Sequence, residues 1–338
     1  MGKPTAIDLF SGCGGLTLGL KRAGFRVVAA VDADPLAMST YKANHKRCLY
    51  ENRDIRDVDP DELLSALKIE PGELDLLAGC PPCQGFSTLR THNGGRSITD
   101  PMNDLVFTFL PFVRTFKPRS LMIENVPGLL GDDRLRRFGA SLKRLGYRFK
   151  AQVFDASDFG VPQRRRRMIL IASRGHEPQF ALPATRRRTV RGAIGSLPPP
   201  GESDDPAHNY SVSRAPSVMK IIQRIPKDGG SRSQLPQNQQ LDCHQRLSGF
   251  YDVYGRMSWA KPSPTITSGC INPSKGRFLH PQEDRAITVR EAALLQGFPR
   301  TYVIDMSRGR YPAAQMVGNA FPPRFAEAHA KRLLEQLP

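Results

Sequence analysis

Cysteine is scarce in this chain of 338 residues, and the few cysteines present are scattered. Six are too few and too widely spaced for a disulfide framework, so a reducing compartment fits better. They are Cys13, Cys48, Cys80, Cys83, Cys243 and Cys270. The chain also lacks an apolar segment after its N-terminus and any run of 18 apolar residues. We therefore expect no signal peptide and no membrane partner, and a cytoplasmic location.

Acidic residues are also few relative to basic residues. The 32 Asp and Glu residues face 49 Lys and Arg residues, which gives a net charge of +17 and an isoelectric point near 10.0. An excess of this size favours a polyanionic partner, most simply nucleic acid. The length exceeds one typical hydrophobic core and predicts two domains.

The first 32 residues resemble the start of a nucleotide-binding α/β unit. Residues 5–31 follow the order strand, glycine-rich turn, helix and strand, and Asp32 comes directly after the second strand. The third glycine of the dinucleotide fingerprint is missing, because Thr17 occupies its position. A pyrophosphate is therefore not the expected ligand. A nucleoside without phosphates fits better, with Asp32 accepting hydrogen bonds from its ribose.

The segment 79–87, Gly-Cys-Pro-Pro-Cys-Gln-Gly-Phe-Ser, follows an apolar run at 74–78 that predicts a buried strand. Its tandem prolines exclude a helix and predict a stiff loop at the strand's carboxyl end, where α/β sheets place reactive groups. Cys83 in this loop fits a nucleophile, a redox partner of Cys80 or an inert buried thiol. A four-thiolate zinc site is disfavoured, because no second C-x-x-C occurs.

Two further stretches place charged residues beside predicted strands. Glu124 follows an apolar strand directly, and partial burial there would favour its protonated form. A local strand-end acid is the alternative. The four arginines at 164–167 enter a strand, so Arg165 and Arg167 share one face and the other two share the opposite face. At least one pair must face inward or toward a ligand, which predicts an anion or carbonyl site.

The pattern changes near residue 183. The strand–helix alternation stops, and 19 basic residues against 10 acidic residues lie between 183 and 310, interleaved with aromatic residues. This composition predicts an irregular domain that contacts a phosphate backbone. Thr288 and Glu291 form the pattern of a capping box, and the helix they begin is expected to end at Gly297. A polar, glycine-containing loop is expected at 88–102, and an apolar helix at 105–115.

In this order, these blocks resemble the DNA (cytosine-5-)-methyltransferases. The resemblance covers residues 7–172 and 285–323. The matching motifs are Pro82-Cys83, Glu124-Asn125-Val126, Gln163-x-Arg165-x-Arg167 and Gly318-Asn319. The resemblance implies an α/β fold with a doubly wound, mixed seven-stranded, Rossmann-like sheet and a second, smaller target-recognition domain. Residues 1–182 and 311–338 would form the catalytic domain, and residues 183–310 the DNA-binding domain with a hinge.

The resemblance also implies a cofactor and a set of roles. S-adenosylmethionine would be bound by Phe10, Ser11, Gly12, Gly14, Asp32, Ala33, Asp54, Ile55, Pro82, Leu105, Asn319 and Ala320. Cys83 would attack C6 of cytosine, Glu124 would contact N3, and Arg165 would contact O2, with Arg167 in the same catalytic group. Two positions depart from the family pattern: Ala33 replaces a large aromatic residue found in several relatives, and Ala320 replaces a common serine.

The implied function is methylation of C5 of a flipped-out cytosine in a specific sequence of double-stranded DNA. The expected setting is a bacterial restriction–modification system or an orphan methylase. In that setting the protein would act as a monomer on nucleoid DNA, and any companion endonuclease would act separately. Two alternatives stay open at this stage. One is a tRNA cytosine-5 methyltransferase, and the other is a catalytically silent DNA-binding regulator.

Overall fold

The computed structural model describes residues 2–82, 101–184, 186–210, 212–240 and 252–337. Cys83, Cys243 and residues 88–100 of the loop predicted at 88–102 lie outside this part of the chain. Within it, no helix is long and apolar enough to cross a membrane.

A mixed sheet of seven strands carries the catalytic motifs. Its spatial order is β3-β2-β1-β4-β5-β7-β6, in which β7 is antiparallel to both of its neighbours and the other pairs are parallel. The strands are β1 (Thr5–Leu9), β2 (Arg26–Val31), β3 (Leu49–Glu51), β4 (Leu76–Gly79), β5 (Ser120–Asn125), β6 (Tyr147–Asp155) and β7 (Arg166–Arg174). The predicted mixed α/β fold is confirmed. Parallel order puts the carboxyl ends of β1, β2, β4 and β5 at one edge.

The described residues also form α-helices between and after these strands in the sequence. They are α1 (Gly15–Ala23), α2 (Pro35–Asn44), α3 (Pro60–Leu67), α4 (Phe109–Phe116), α5 (Asp133–Arg144), α6 (Val190–Ile194), α7 (Pro216–Arg224), α8 (Val289–Gln296), α9 (Arg310–Asn319) and α10 (Pro323–Leu334). The helix expected at 105–115 is corrected. Residues Pro101–Thr108 are a 3₁₀ helix, and the α-helix begins only at Phe109. Pro111 explains this, because a residue without an N–H fits the first helical turn and not the interior.

The described residues divide into two compact units. Unit 1 consists of Met1–Phe159, Arg166–Pro183 and Phe321–Pro338, and unit 2 of Gly160–Arg165 and Ala184–Ala320. Residues 160–165 and 311–320 thus fall in unit 2, whereas the sequence-based division put them with the catalytic domain. The cause is local pairing, because Arg164 N donates to Ser263 O at 2.8 Å within unit 2. The function of each unit remains a prediction.

In unit 1, the C-terminal helix α10 packs against α1. Gly19 of α1 allows this contact, because a Cβ atom there would lie 2.5 Å from the Cβ of Ala326. His329 of α10 is buried among aromatic rings, with its ring centroid 4.8 Å from that of Phe159 and 5.1 Å from that of Phe154. Neither ring nitrogen has a hydrogen-bond partner within the described residues.

Unit 2 has no regular strand among its described residues, only isolated bridges such as Gln163 to Ser263. Buried polar contacts take the place of the hydrogen bonds between strands. The Arg256 guanidinium is fully buried and donates to the carbonyls of Ile222, Ile225 and His280. The predicted helix at 288 is confirmed as α8, with the Thr288–Glu291 capping box and a left-handed Gly297 at its end.

Candidate active site

The glycine-rich turn after β1 has an unusual backbone. Phe10 has a φ of 61°, Gly12 of 51° and Gly14 of 90°. The value at Phe10 is the informative one, because a bulky residue rarely adopts left-handed backbone, and such strain clusters at ligand sites. The carboxylate of Asp32 holds the turn, since its Oδ2 accepts from Gly12 N at 2.7 Å. Two predicted cofactor residues from different strands are thus brought together.

The second oxygen of Asp32 accepts from the backbone N–H of Asp34 at 2.9 Å. Burial raises the pKa of Asp32, and the two backbone hydrogen bonds, from Asp34 and Gly12, oppose that rise. Each carboxylate oxygen keeps a further lone pair for a ligand hydroxyl. Ala33, which follows, is exposed.

Thr17 belongs to a buried series of hydrogen bonds beside the turn, which accounts for a threonine at this position. Its hydroxyl donates to Asp8 Oδ2 at 2.6 Å and lies 2.9 Å from the Tyr41 hydroxyl. Burial raises the pKa of Asp8 to about 7, and Asp32 adds to the rise. Thr17 therefore does more than replace a glycine: it joins β1 to α1 and α2. Sequence reasoning missed Asp8 because a polar residue inside a short strand gave no signal of its partner.

Asp54 and Ile55 follow β3, as expected. The Asp54 carboxylate, however, is engaged by its own neighbour: Arg56 Nε donates to Oδ1 at 2.9 Å and Nη2 to Oδ2 at 2.6 Å. These bonds lower the pKa of Asp54 to about 2. Ile55 and Leu105 are both buried in the core of unit 1. Ile55 and Leu105 therefore contribute apolar surface. The contact of Asp54 with adenine remains a prediction.

The exit from β4 is fixed from two sides. Gly79 must be glycine, because a Cβ atom there would lie 2.1 Å from the carbonyl oxygen of Leu9. Asn125 at the end of β5 donates from Nδ2 to the carbonyl of Pro81 at 3.0 Å. Its Oδ1 accepts from Val126 N at 2.8 Å. The backbone that leads into Pro82 and Cys83 is therefore anchored to the strand that carries Glu124.

Three other thiols are poor nucleophiles. Burial raises the pKa of Cys13 and of Cys270 to about 12, and that of Cys48 to about 11. Because the thiolate is the reactive form, these cysteines fit structural roles. Cys83 itself lies outside the described residues.

Glu124 and Arg167 form an ion pair in unit 1. Arg167 Nε lies 2.7 Å from Glu124 Oε1, and the two side chains are 17% and 11% exposed. β5 pairs with β7 in this region, with Glu124 opposite Ile169. The predicted alternation of the four arginines is seen in their burial, since Arg164 and Arg166 are exposed whereas Arg165 is buried. Arg167 thus orients the carboxyl group of Glu124.

Arg165 belongs to unit 2 and is 3% exposed. Its Nη1 donates to the carbonyls of Ile266 at 2.9 Å and Gly318 at 3.1 Å. Gly318 is followed by the exposed Asn319, which ends α9, and by the buried Ala320. Arg165 lies in the segment 163–165, the arm, and Asn319 and Ala320 lie in the turn at 317–320. Hydrogen bonds therefore link the arm to this turn within unit 2.

Comparison with known proteins places this geometry in a family. The profile of the C-5 cytosine-specific DNA methylases matches residues 5–335. The chain belongs to the C-5 cytosine-specific DNA methylase family. It is therefore a DNA (cytosine-5-)-methyltransferase, and the predicted enzyme class and the methyl donor S-adenosylmethionine are confirmed.

Two bacterial C5 methylase relatives are similar over nearly the whole chain. Type II methylase M.HgiDII of Herpetosiphon aurantiacus is 36% identical, over 98% of this chain and 96% of the relative. Type II methyltransferase M1.HphI of Haemophilus parahaemolyticus is 34% identical, over 98% of this chain and 87% of the relative.

Solved structures agree with the C5 methylase fold. A protein described as a DNA modification methyltransferase encoded within a prophage (E. coli) superposes with a TM-score of 0.71 at 25% identity, covering 98% of this chain and 99% of that chain. The S. pombe Dnmt2 methyltransferase gives a TM-score of 0.64 at 18% identity, over 99% of each chain, and shows the fold alone.

The residues of the turn fit S-adenosylmethionine. The buried Ser11 hydroxyl has no hydrogen-bond partner within the described part of the chain and is available to a ligand. The left-handed glycines leave the turn open, and Asp32 supplies an acceptor next to it. The turn therefore offers a hydroxyl and a carboxylate to a ligand that carries polar groups, as S-adenosylmethionine does.

Proposed function

We propose that this enzyme methylates C5 of a flipped-out cytosine in a specific duplex sequence through a covalent bond between Cys83 and C6. The observation that carries the proposal is the pairing of β4 with β5. The buried Glu124 is the penultimate residue of β5, and β4 leads through the anchored Pro81 into Pro82 and Cys83. An acid beside a nucleophile is the arrangement that addition to a pyrimidine needs.

The proposed chemistry starts at Cys83. Its thiolate adds to C6 and pushes electron density toward N3 and O2, so that C5 becomes nucleophilic. Glu124, with Arg167 as its orienting partner, neutralises N3, and Arg165 stabilises charge at O2. S-adenosylmethionine supplies the methyl group. Loss of the C5 proton then breaks the bond to C6 and restores the thiolate. General acid help of this kind contributes about 10²–10⁴-fold.

We assign cofactor contacts to the two units separately. In unit 1, the turn residues Phe10, Ser11, Gly12 and Gly14 approach the amino acid part of S-adenosylmethionine. Asp32 accepts from the ribose, and Ala33, Asp54, Ile55, Pro82 and Leu105 surround the rest. In unit 2, Asn319 and Ala320 complete the set. The support is the Gly12–Asp32 hydrogen bond and the Ser11 hydroxyl, which has no hydrogen-bond partner among the residues that the structure describes.

Duplex DNA is the proposed substrate form, read by residues 183–310. The support is the 19 basic against 10 acidic residues of that segment. Because phosphate contacts release counterions, DNA affinity should fall steeply with salt. A flipped base costs a few kcal/mol of lost stacking. The basic segment and the loop at 88–102 are proposed to offset that cost.

The cellular role we propose is modification in a bacterial restriction–modification system, or as an orphan methylase. The two bacterial relatives named above carry the designation Type II methylase or methyltransferase. In this proposal the enzyme is a cytoplasmic monomer that works on nucleoid DNA, and any companion endonuclease acts separately.

Bisulfite sequencing of DNA from a host expressing the protein tests the proposal. Protected cytosines should recur in one short sequence context. A parallel assay offers duplex DNA and tRNA together to the purified enzyme with labelled methyl donor. Label found on tRNA and not on DNA would support the RNA alternative. Sequence-specific DNA binding without any label transfer would support the silent regulator.

A further inference from the structure

Gln296 makes several buried hydrogen bonds inside unit 2. It is fully buried at the last position of α8. Its Nε2 lies 2.8 Å from the carbonyl oxygen of Val317 and 3.3 Å from those of Gly318 and Ala320. One amide group therefore holds the chain reversal that carries Asn319 at its centre.

The same side chain also contacts the arm that carries Arg165. Gln296 Oε1 accepts from Gln163 Nε2 at 2.7 Å, and Gln163 Oε1 accepts from Ile266 N at 2.8 Å. Gln163 is itself fully buried. Since Arg165 Nη1 bonds the carbonyls of both Ile266 and Gly318, the contacts form a closed ring.

Two features make this ring rigid. A Cβ atom at Gly318 would lie 2.3 Å from the carbonyl oxygen of Thr267, so the two backbones are in direct contact. The position of Gln296 is fixed in turn by α8, whose eight residues are all buried and whose start is capped by Thr288 and Glu291. A displacement of the Gln296 amide therefore has to move the 317–320 turn or the 163–165 arm.

We propose that Gln296 is a positioning residue that couples Arg165 to the turn bearing Asn319 and Ala320. The inference rests on the proposed roles of Arg165 at the base and of Asn319 and Ala320 at the cofactor. Glutamine is required because it donates to carbonyls on one side and accepts from an amide on the other. An apolar residue would remove one donor from each of these buried carbonyls and leave the Gln163 amide without its acceptor in Gln296, which is costly.

The test compares Gln296→Met with Gln163→Met, since methionine keeps the volume and removes the amide. Gln163→Met removes the hydrogen bond between Gln296 and the arm. It leaves the hydrogen bonds that Gln296 donates to the carbonyls of the 317–320 turn. We expect Gln296→Met to weaken binding of S-adenosylhomocysteine, measured by calorimetry, on the order of 10-fold, and to lower kcat about 10–100-fold. Gln163→Met should lower kcat and leave that binding near the wild-type value.

Thermal melts of both variants separate positioning from folding. A lower melting temperature of Gln296→Met with unchanged cofactor affinity and unchanged kcat would overturn the proposal. Equal effects of the two variants on cofactor binding would also overturn it. If Gln296→Met does not fold, Gln296→Asn keeps the amide on a shorter side chain and should show a smaller loss of affinity. Failure of wild-type protein to bind S-adenosylhomocysteine would instead count against the proposed cofactor site.

Discussion

Arg167 Nε lies 2.7 Å from Oε1 of Glu124, and this ion pair fixes the direction of the acid that we assign to N3 of cytosine. Both side chains are largely buried, so solvent screens the pair less than it would a surface pair. The contact joins β5 to β7 on the sheet. It gives Arg167 a specific task within the catalytic group, namely to hold Glu124 in one orientation.

The first prediction follows from this pair. Arg167→Ala should lower kcat about 100-fold, because Glu124 loses the contact that orients it. The matched control is Arg166→Ala, which removes the same charge from the exposed first residue of β7. Single-turnover methylation and DNA affinity are measured for both variants. Equal kcat values for the two would refute the orienting role.

A second prediction concerns Asn125. Asn125→Asp keeps the oxygen that accepts from Val126 but loses the Nδ2 donor to Pro81. The loop leading to Cys83 should lose its anchor, and kcat should fall at least about 10-fold while S-adenosylhomocysteine affinity stays unchanged. Asn44→Asp makes the same chemical change at a part-buried helix end and serves as the control. Wild-type turnover in Asn125→Asp would contradict the account.

The third prediction is a pH dependence of stability set by Asp8. Its pKa is raised from 3.8 to about 7 in the folded protein. Between these values the folded state holds a proton that the unfolded chain has released, so this group's contribution to stability falls as the pH rises from about 4 to about 7. Asp8→Asn cannot titrate, and relative to wild type it should gain on the order of 4 kcal/mol across that window.

Urea unfolding of both proteins at pH 5 and pH 8 measures this difference. The gap between Asp8→Asn and wild type should be larger at pH 8. Parallel stability profiles over the whole range would show that Asp8 does not titrate in the folded protein as we describe.

The sequence predicted the sheet well because its signals are local. Buried strands show as short apolar runs, and glycine or proline marks the helix ends between them, as Gly24 does at the end of α1 and Pro35 at the start of α2. The capping box at Thr288 was likewise visible, since its two residues are three positions apart. The helix at 105–115 was only half right, because the position of Pro111 limits where a helix can begin.

Partners distant in sequence could not be predicted in this way. The contacts of Gln296 with Gln163 and with the 317–320 turn span 133 and up to 24 positions, and no periodicity reveals them. The engagement of Asp54 by Arg56 is local, yet it depends on a rotamer that the residue types leave open. The sequence therefore identified residue types at strand ends, while the structure determined which of them are already engaged.

The fourth prediction concerns stability away from the site. Burial lowers the pKa of His329 to about 3 from 6.5, so the contribution of this group to stability falls as the pH drops from 6.5 toward 3. His329→Leu should stabilise the protein at neutral pH by about 1 kcal/mol, because it removes two buried ring nitrogens that have no hydrogen-bond partner in the described part of the chain. It should also remove this acid sensitivity. Unfolding at pH 5 and 7.5 measures both effects, and a destabilised variant at both pH values would contradict them.

The central claim is a transient covalent bond between Cys83 and the target cytosine. Incubation of the enzyme with S-adenosylmethionine and duplex DNA containing 5-fluorocytosine in the recognition sequence tests it most directly. Fluorine at C5 blocks the release step, so the wild-type enzyme should form a denaturant-resistant complex with the DNA. Cys83→Ala should form none while still binding DNA, and Cys80→Ala should still form it. A complex that survives in Cys83→Ala, or methylation by that variant, would contradict the account.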